Sequence, residues 1–214
     1  LDFDGITLFV DKCFDPEDVH IIDKCNSKYK VAWIHEPRPL HDLQKRRLKT
    51  LESMLDKFDF VMTYDEYLLD TYPDKCVYCV DNGIWVSDNM IKLHEKTKLA
   101  SINFSITIEN SKSKYYFTEK ILDCFACGTI PIYWGCENIG DYFDERGIIT
   151  FTEVSELQEI FNRIGDMDYI ESLQPYVKEN LEIVKQYNRY EDWIKENIYD
   201  KFLGDTDGKN IFKN

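Results

Sequence analysis

The sequence is short of positive charge: 26 lysines and arginines stand against 40 aspartates and glutamates, for a net charge of −14. That deficit argues against nucleic acid as a partner, because binding a phosphate backbone depends on basic surface that displaces counterions. It disfavours an anionic membrane surface for the same reason. Apolar runs long enough to cross a bilayer are missing, so no integral membrane segment is expected in this chain. No secretory leader is visible either, although the chain starts at Leu1 rather than Met. Even cysteine pairing is missing. Seven cysteines is an odd count, which fits reduced thiols in a cytoplasmic compartment better than a disulfide framework. Internal repeats and low-complexity segments are likewise absent.

What is present is a core. At 214 residues, 43% of them hydrophobic and 14% aromatic, the chain can bury one large domain or two small ones and is not of a disordered type. Two CxxC pairs, Cys76/Cys79 and Cys124/Cys127, have spacings used by zinc sites. The first lies in KCVYCV, a strand-like run in which positions three apart face opposite sides. The second lies on the buried face of a helical pattern. Both pairs read as packing, and no metal is expected.

Along the chain, strand-like apolar runs alternate with helical spacing. ITLFV (Ile6 to Val10) ends at Asp11, and DPEDVHIIDKC carries a short helix. KVAWIHEP is a second strand, Val31 to Ile34, stopped by Pro37 and Pro39. Helical spacing follows from His41 to Phe58, then FDFVMTY as a strand, DEYLLDTY as a short helix and KCVYCV as a strand closed by the DNG turn at Asp81 to Gly83. Strand, helix, strand is the pattern of an α/β protein with a parallel sheet. A second half opens with the strand NFSITI (Asn103 to Ile108), continues through ENSKSKYYFTEK to a helix from Thr118 to Cys127, and returns as the strand TIPIYW (Thr129 to Trp134). GIITF is a further strand, SELQ at Ser155 to Gln158 reads as a capping box opening a helix, and two helices rich in Glu, Lys, Tyr and Trp follow, with Tyr187, Tyr190, Trp193 and Tyr199 expected to pack back on the core. The organisation expected is an N-terminal domain over 1–95 and a C-terminal domain over 96–214.

In a right-handed βαβ unit, the loops after strand C-termini share one sheet edge, and open α/β sheets bind ligands there. Glu109 and Asn110 fall at that edge. Thr118 is a good N-cap, so the amides of the first helical turn, around Glu119 and Lys120, are expected to point at it. Lys120 adds a cation, with Lys112 and Lys114 around it. Asn110 offers a donor and an acceptor for sugar hydroxyls, while Tyr115 and Tyr116 offer flat surface for a ring. These are the parts of a nucleotide-diphosphate pocket on an otherwise acidic protein. Ordinary roles stay open for each: first-turn helix residues, core tyrosines and a turn-forming asparagine.

The stretch FSITIENSKSKYYFTEKILDCFACGTIPIYWG resembles the signature of the α-1,3-fucosyltransferase family, which transfers fucose from GDP-fucose. The likeness runs through the strand, the E-N, the Y-x-T-E-K, the helix and the G-T-I-P-I-Y-W-G. It implies a GT-B-like architecture, two Rossmann-type domains whose parallel sheets face a cleft, with the donor held by the C-terminal domain and no cofactor required. By that resemblance Asn110, Tyr116, Glu119 and Lys120 fall on donor-binding positions, Lys120 facing the diphosphate and Glu119 the sugar or ribose hydroxyls. Glu109, Tyr115 and Thr118 are candidates for supporting roles.

Inversion at an anomeric carbon needs a carboxylate to take the acceptor hydroxyl's proton. Glu36, in WIHEPRP after the second strand, is the candidate, and the family places its proposed base in a similar strand–Glu–x–Pro setting. A solvated loop acid is the alternative reading of Glu36. Neighbouring His35 and Arg38 could tune the base or bind substrate, and Asp65 at the end of the third strand is the second choice as base. The sequence departs from the family pattern at one point. After a phrase like KTKLASI the family runs through a further segment, carrying an arginine that contacts the donor diphosphate, before reaching F-S-I-x-I-E-N. Here Ile102 meets Asn103 directly. The expected activity is transfer of fucose from GDP-fucose to a glycan acceptor with inversion. A related transferase using another nucleotide sugar, and a catalytically silent glycan- or nucleotide-binding module, stay open.

Overall fold

The computed structural model describes residues 2–3, 5–38, 41–81, 83–86 and 104–203. The expected segment from Ser87 to Ala100, the domain boundary at 95/96 and the junction of Ile102 with Asn103 lie outside the described residues, as does Asn82 of the DNG turn. Two sheets organise the chain. The first contains β1 (Asp2–Phe3), β2 (Ile6–Val10), β3 (Tyr29–Trp33), β4 (Phe60–Thr63) and β5 (Cys76–Tyr78) in that spatial order. β1 pairs antiparallel with β2, and the other pairs are parallel, in register from Ile6↔Tyr29 to Thr63↔Tyr78. The second sheet is wholly parallel: β6 (Phe104–Ile108), β7 (Ile130–Trp134) and β8 (Ile149–Thr150). The fold is α/β, as the alternation of patterns implies.

Parallel strands laid down in sequence order, with right-handed crossovers, place all their connecting helices on one face of the sheet. Alternation along the strands shows the result. Phe9, Ala32, Val61 and Cys76 face a cluster with Ile22 of α1 (His20–Lys24), Leu48 and Leu51 of α2 (Asp42–Glu52) and Leu68 of α3 (Glu66–Thr71). Ile6, Val31, Phe60, Met62, Val77 and Cys79 line the opposite face, which needs another cover. The chain supplies it from its far end. Trp193 and Ile194 of α7 (Tyr190–Ile194) and Ile198 of the following π-helix (Lys195–Leu203) pack there. The last helical segment, though contiguous with the second half, thus completes the first sheet's core. Tyr187 and Ile198 are buried, and the Tyr190 hydroxyl donates to the Val80 carbonyl at 2.6 Å, whereas Tyr199 is exposed.

In the second half, α4 (Glu119–Ala126) returns the chain from β6 to β7, burying Ile121, Leu122 and Phe125 with Phe117 and Tyr133. On the sheet's other face Ile130, Ile132 and Ile149 meet Ile160 of α5 (Leu157–Arg163) and Ile170 and Val177 of α6 (Met167–Val184). The capping contact before α5 differs from the SELQ reading. A 3-10 turn over Val154–Glu156 comes first, and the Glu156 carboxylate accepts the backbone N–H groups of Thr152 and Glu153. The box is therefore closed around Glu153, two residues earlier than the Ser155 pattern implies.

Three of the four CxxC cysteines are buried packing groups. Cys76 and Cys79 are buried on opposite faces of the first sheet, and Cys124 is buried against Thr129. Burial pushes the Cys76 and Cys79 thiols up to about 12 and that of Cys124 up to about 11, so none presents a thiolate at neutral pH. Among the described residues no helix is long and apolar enough to cross a membrane, and no group of three metal-ligating side chains occurs.

Candidate active site

The donor-side candidates gather around Glu109. This residue follows β6 directly, and its side chain is wholly excluded from solvent. Its Oε1 accepts the Thr118 backbone N–H at 3.0 Å, and its Oε2 accepts the Thr118 hydroxyl at 2.7 Å. Burial pushes the Glu109 carboxyl upward, while the Thr118 contacts and the Lys120 charge pull it back. Gly135 at the end of β7 makes this approach possible: a Cβ there would come within 2.4 Å of the Glu109 Cγ and 2.6 Å of the Tyr133 hydroxyl. Thr118 in turn caps α4, as its position before the helix predicts, accepting the Lys120 N–H on its hydroxyl at 3.4 Å. Two amides at this helix start are thus used inside the protein rather than turned outward, which differs from the expectation for the Lys120 N–H.

Lys120 is the cation of the site. Its Nζ lies 3.3 Å from the Thr118 hydroxyl, 3.5 Å from Glu109 Oε2 and 3.8 Å from Glu119 Oε1, and a third of its side chain, 33%, stays open to solvent. Asn110, next to Glu109 in the chain, is exposed. The expected lysine cluster is smaller than the sequence implies, because Lys114 reaches away to pair with Glu66 of α3 at 2.6 Å. Tyr116 does not offer an open ring. It is only 1% exposed and lies against Tyr64, ring centroids 4.8 Å apart. Tyr115 is half-buried, its ring 6.0 Å from that of Tyr78. It adopts φ +65°, a left-handed conformation costly for a side chain with a Cβ. The Asn138 side chain fixes that turn by accepting the Tyr115 N–H at 2.8 Å.

The acceptor-side candidates sit at the C-terminal edge of the first sheet. Glu36 is half-buried, and its carbonyl accepts from Gln44 at 3.0 Å; its carboxylate has no hydrogen-bond partner among the described residues. The other two candidates there are occupied. Arg38 holds Asp65 with two bonds of 2.9 and 3.0 Å, and reaches Glu52 at 3.5 Å. Asp65 also caps α3 by accepting the Leu68 N–H at 2.9 Å. Desolvation acts to lower the Arg38 guanidinium, but Asp65 and Glu52 outweigh it and hold it above its usual value. An arginine and a carboxylate so paired hold each other in a fixed geometry.

His35 is held at four points. Its N–H donates to Asp11 Oδ2 at 3.1 Å, its carbonyl accepts the Tyr64 hydroxyl, its Nδ1 lies 3.1 Å from Asp81 Oδ1, and its ring packs on Trp33 at 4.0 Å between centroids. In the sequence Asp11 and Asp81 mark only a strand end and a turn, with no motif that announces a shared site. The signal is one of topology: in a parallel sheet the residues after β2, β3, β4 and β5 must all emerge at one edge.

The two sides meet around Tyr116. Burial raises its hydroxyl's pKa far above the usual tyrosine value, reinforced in turn by Glu109, Asp81, Glu36 and Glu119. Carboxylates of both sheets therefore act on a single phenol.

Comparison with known proteins gives the family. Residues 69–206 match the model of the glycosyltransferase family 10 (fucosyltransferase) C-terminal domain. An α-(1,3)-fucosyltransferase of Helicobacter pylori is 29% identical over 114 residues, which is 53% of this chain and 20% of that protein. A GDP-fucose protein O-fucosyltransferase 3 of Rattus norvegicus is 32% identical over 82 residues, 37% of this chain and 17% of the relative. The matched segments thus span about a fifth of those relatives. A crystal structure of an α1,3-fucosyltransferase with GDP superposes with a TM-score of 0.45 at 15% identity, covering 75% of this chain and 74% of that one. With that family model matched over residues 69–206, more than half of the sequence, the chain belongs to glycosyltransferase family 10, the fucosyltransferases.

Proposed function

We propose that the protein transfers fucose from GDP-fucose to a hydroxyl of a glycan acceptor, with inversion at the anomeric carbon. Family membership supports the reaction class, and one relative carries GDP-fucose in its name. The observation that carries the reading is the placement of Lys120: a partly open ammonium at a helix start, locked by the solvent-free Glu109–Thr118 pair. A cation fixed in this way costs little reorganisation when negative charge develops on a departing diphosphate.

Donor binding is then the task of Lys120, Glu119 and Asn110. Tyr116 serves as a packed wall and Thr118 and Glu109 as the frame, on a C-terminal unit that we assign to donor binding. Glu36 takes the acceptor proton as the hydroxyl oxygen attacks the anomeric carbon and the bond to the diphosphate breaks. Its open carboxylate, beside the engaged Arg38–Asp65 pair, supports that choice over Asp65. The proposed reaction runs without a cofactor.

Two measurements test the reading. Release of GDP from GDP-fucose, compared with nucleotide release from other nucleotide sugars, is expected to favour GDP-fucose; equal or greater turnover of another donor would reassign the sugar, and no turnover of any would point to a silent binding module. Glu36→Gln is expected to keep GDP affinity by calorimetry while losing roughly 10²-fold or more in transfer, the usual worth of a positioned base. Full activity in that variant removes Glu36 as base.

A further inference from the structure

His35 has no part in the reaction as described so far, yet both its backbone and its ring are held at the acceptor edge. Backbone, carbonyl and ring are each fixed by a different strand end: Asp11 after β2, Tyr64 after β4 and Asp81 after β5. Trp33 blocks one face of the ring, and Trp33 is itself backed by Tyr190 of α7 at 5.8 Å. Nε2 is the other nitrogen of the ring. That nitrogen has no hydrogen-bond partner among the described residues, and 30% of the His35 side chain is open to solvent, while that of Asp81 is 7% exposed. A histidine kept for packing is ordinarily buried or satisfied at both nitrogens. One nitrogen tied to a buried carboxylate, with the other open, is the arrangement that orients an imidazole to accept a proton.

The tautomer follows from the partner. An ionised carboxylate only accepts, so Asp81 requires the proton on Nδ1 and leaves a lone pair on Nε2. We propose that His35, oriented by Asp81, is a second proton acceptor of the active site, working beside Glu36. The proposal rests on the transferase reading above. Glu36 takes the proton of an acceptor hydroxyl in transfer, whereas in hydrolysis, when no acceptor is present, the attacking water gives its proton to His35 Nε2. Its oxygen forms the bond to the anomeric carbon of the sugar, and the bond to the diphosphate oxygen breaks with its electron pair leaving on GDP. Asp81 stabilises the imidazolium, and the proton passes to solvent through the exposed edge of the ring.

The charged and titratable surroundings of this pair come from every neighbouring element. Asp11 and Tyr64 face it within the first sheet, and Glu36 follows it in sequence. From the donor side, Glu119 of α4 acts on Asp81, and Tyr116 acts on Tyr64. Burial pushes the Asp81 carboxyl upward, and His35 opposes that shift. The charge of Glu119 is thus felt at the His35–Asp81 pair.

The test is GDP release from GDP-fucose in water as a function of pH, for the parent, His35→Gln, Asp81→Asn and the double variant, with GDP affinity measured by calorimetry. The expectation is that His35→Gln lowers turnover about 10²-fold and leaves GDP affinity unchanged. Its pH profile lacks an acid-side ionisation that the parent shows. Asp81→Asn is expected to give a similar loss, because an amide can donate to Nδ1 and so reverse the tautomer, and the double variant to lose at most about threefold more, as for residues acting as one unit. His35→Gln turning over at the parent rate, or retaining the same ionisation, overturns the proposal and leaves the transferase reading intact. If His35→Gln fails to fold, Asp81→Asn carries the same comparison. A parent that neither binds GDP nor releases it from GDP-fucose overturns both.

Discussion

Glu109 illustrates how one side chain can set a site without touching a ligand. Its carboxylate is sealed from solvent, so no donor group reaches it; its effect passes through the Thr118 amide and hydroxyl and through Lys120. Removing it strands two buried donors, each worth about 1–3 kcal/mol when left unpaired. Glu109→Ala is therefore expected to lower unfolding free energy by a few kcal/mol and to weaken GDP binding about tenfold or more, read by denaturant unfolding and calorimetry. Unchanged GDP affinity would show that Lys120 does not depend on this frame. The same scale explains what the sequence could reveal. Thr118 as a cap and Lys120 as a cation were legible because they depend on neighbours in the chain. The Lys114–Glu66 and His35–Asp81 contacts join residues 48 and 46 positions apart, and no local pattern encodes such pairs.

At the scale of elements, the strands were legible because each is a short apolar run between turn residues, and most begin and end within two positions of where alternation places them. The partner of the first sheet's outer face was not. An aromatic-rich C-terminal helix announces that it packs on something, yet it does not name the surface. The answer follows from topology: in-order strands leave one face bare, and Ile198, 2% exposed, lies on it with Ile6, Val31 and Phe60. Ile198→Ala is expected to destabilise the protein by about 2–5 kcal/mol, as for a buried aliphatic truncation. The loss should appear in hydrogen exchange of β2, β3 and β4, strands far earlier in the chain. Loosening confined to the second sheet would contradict this packing.

For the whole molecule, the parallel sheets bring their chemistry to the ends of strands, and the two ends are joined by direct contacts: Tyr64 with Tyr116, Lys114 with Glu66, Tyr78 with Tyr115 and Tyr142. In an acidic protein with net charge −14, a diphosphate depends on local cations and amides, and among the described residues Lys120 is a cation placed at the start of α4. The most direct measurement is therefore calorimetric titration of GDP into the parent and into Lys120→Ala. The account predicts saturable one-site binding in the parent that weakens about 10- to 100-fold in the variant, the worth of a charge-assisted contact of about 1.5–3 kcal/mol. Equal affinity in the two proteins, or no binding in the parent, would contradict it.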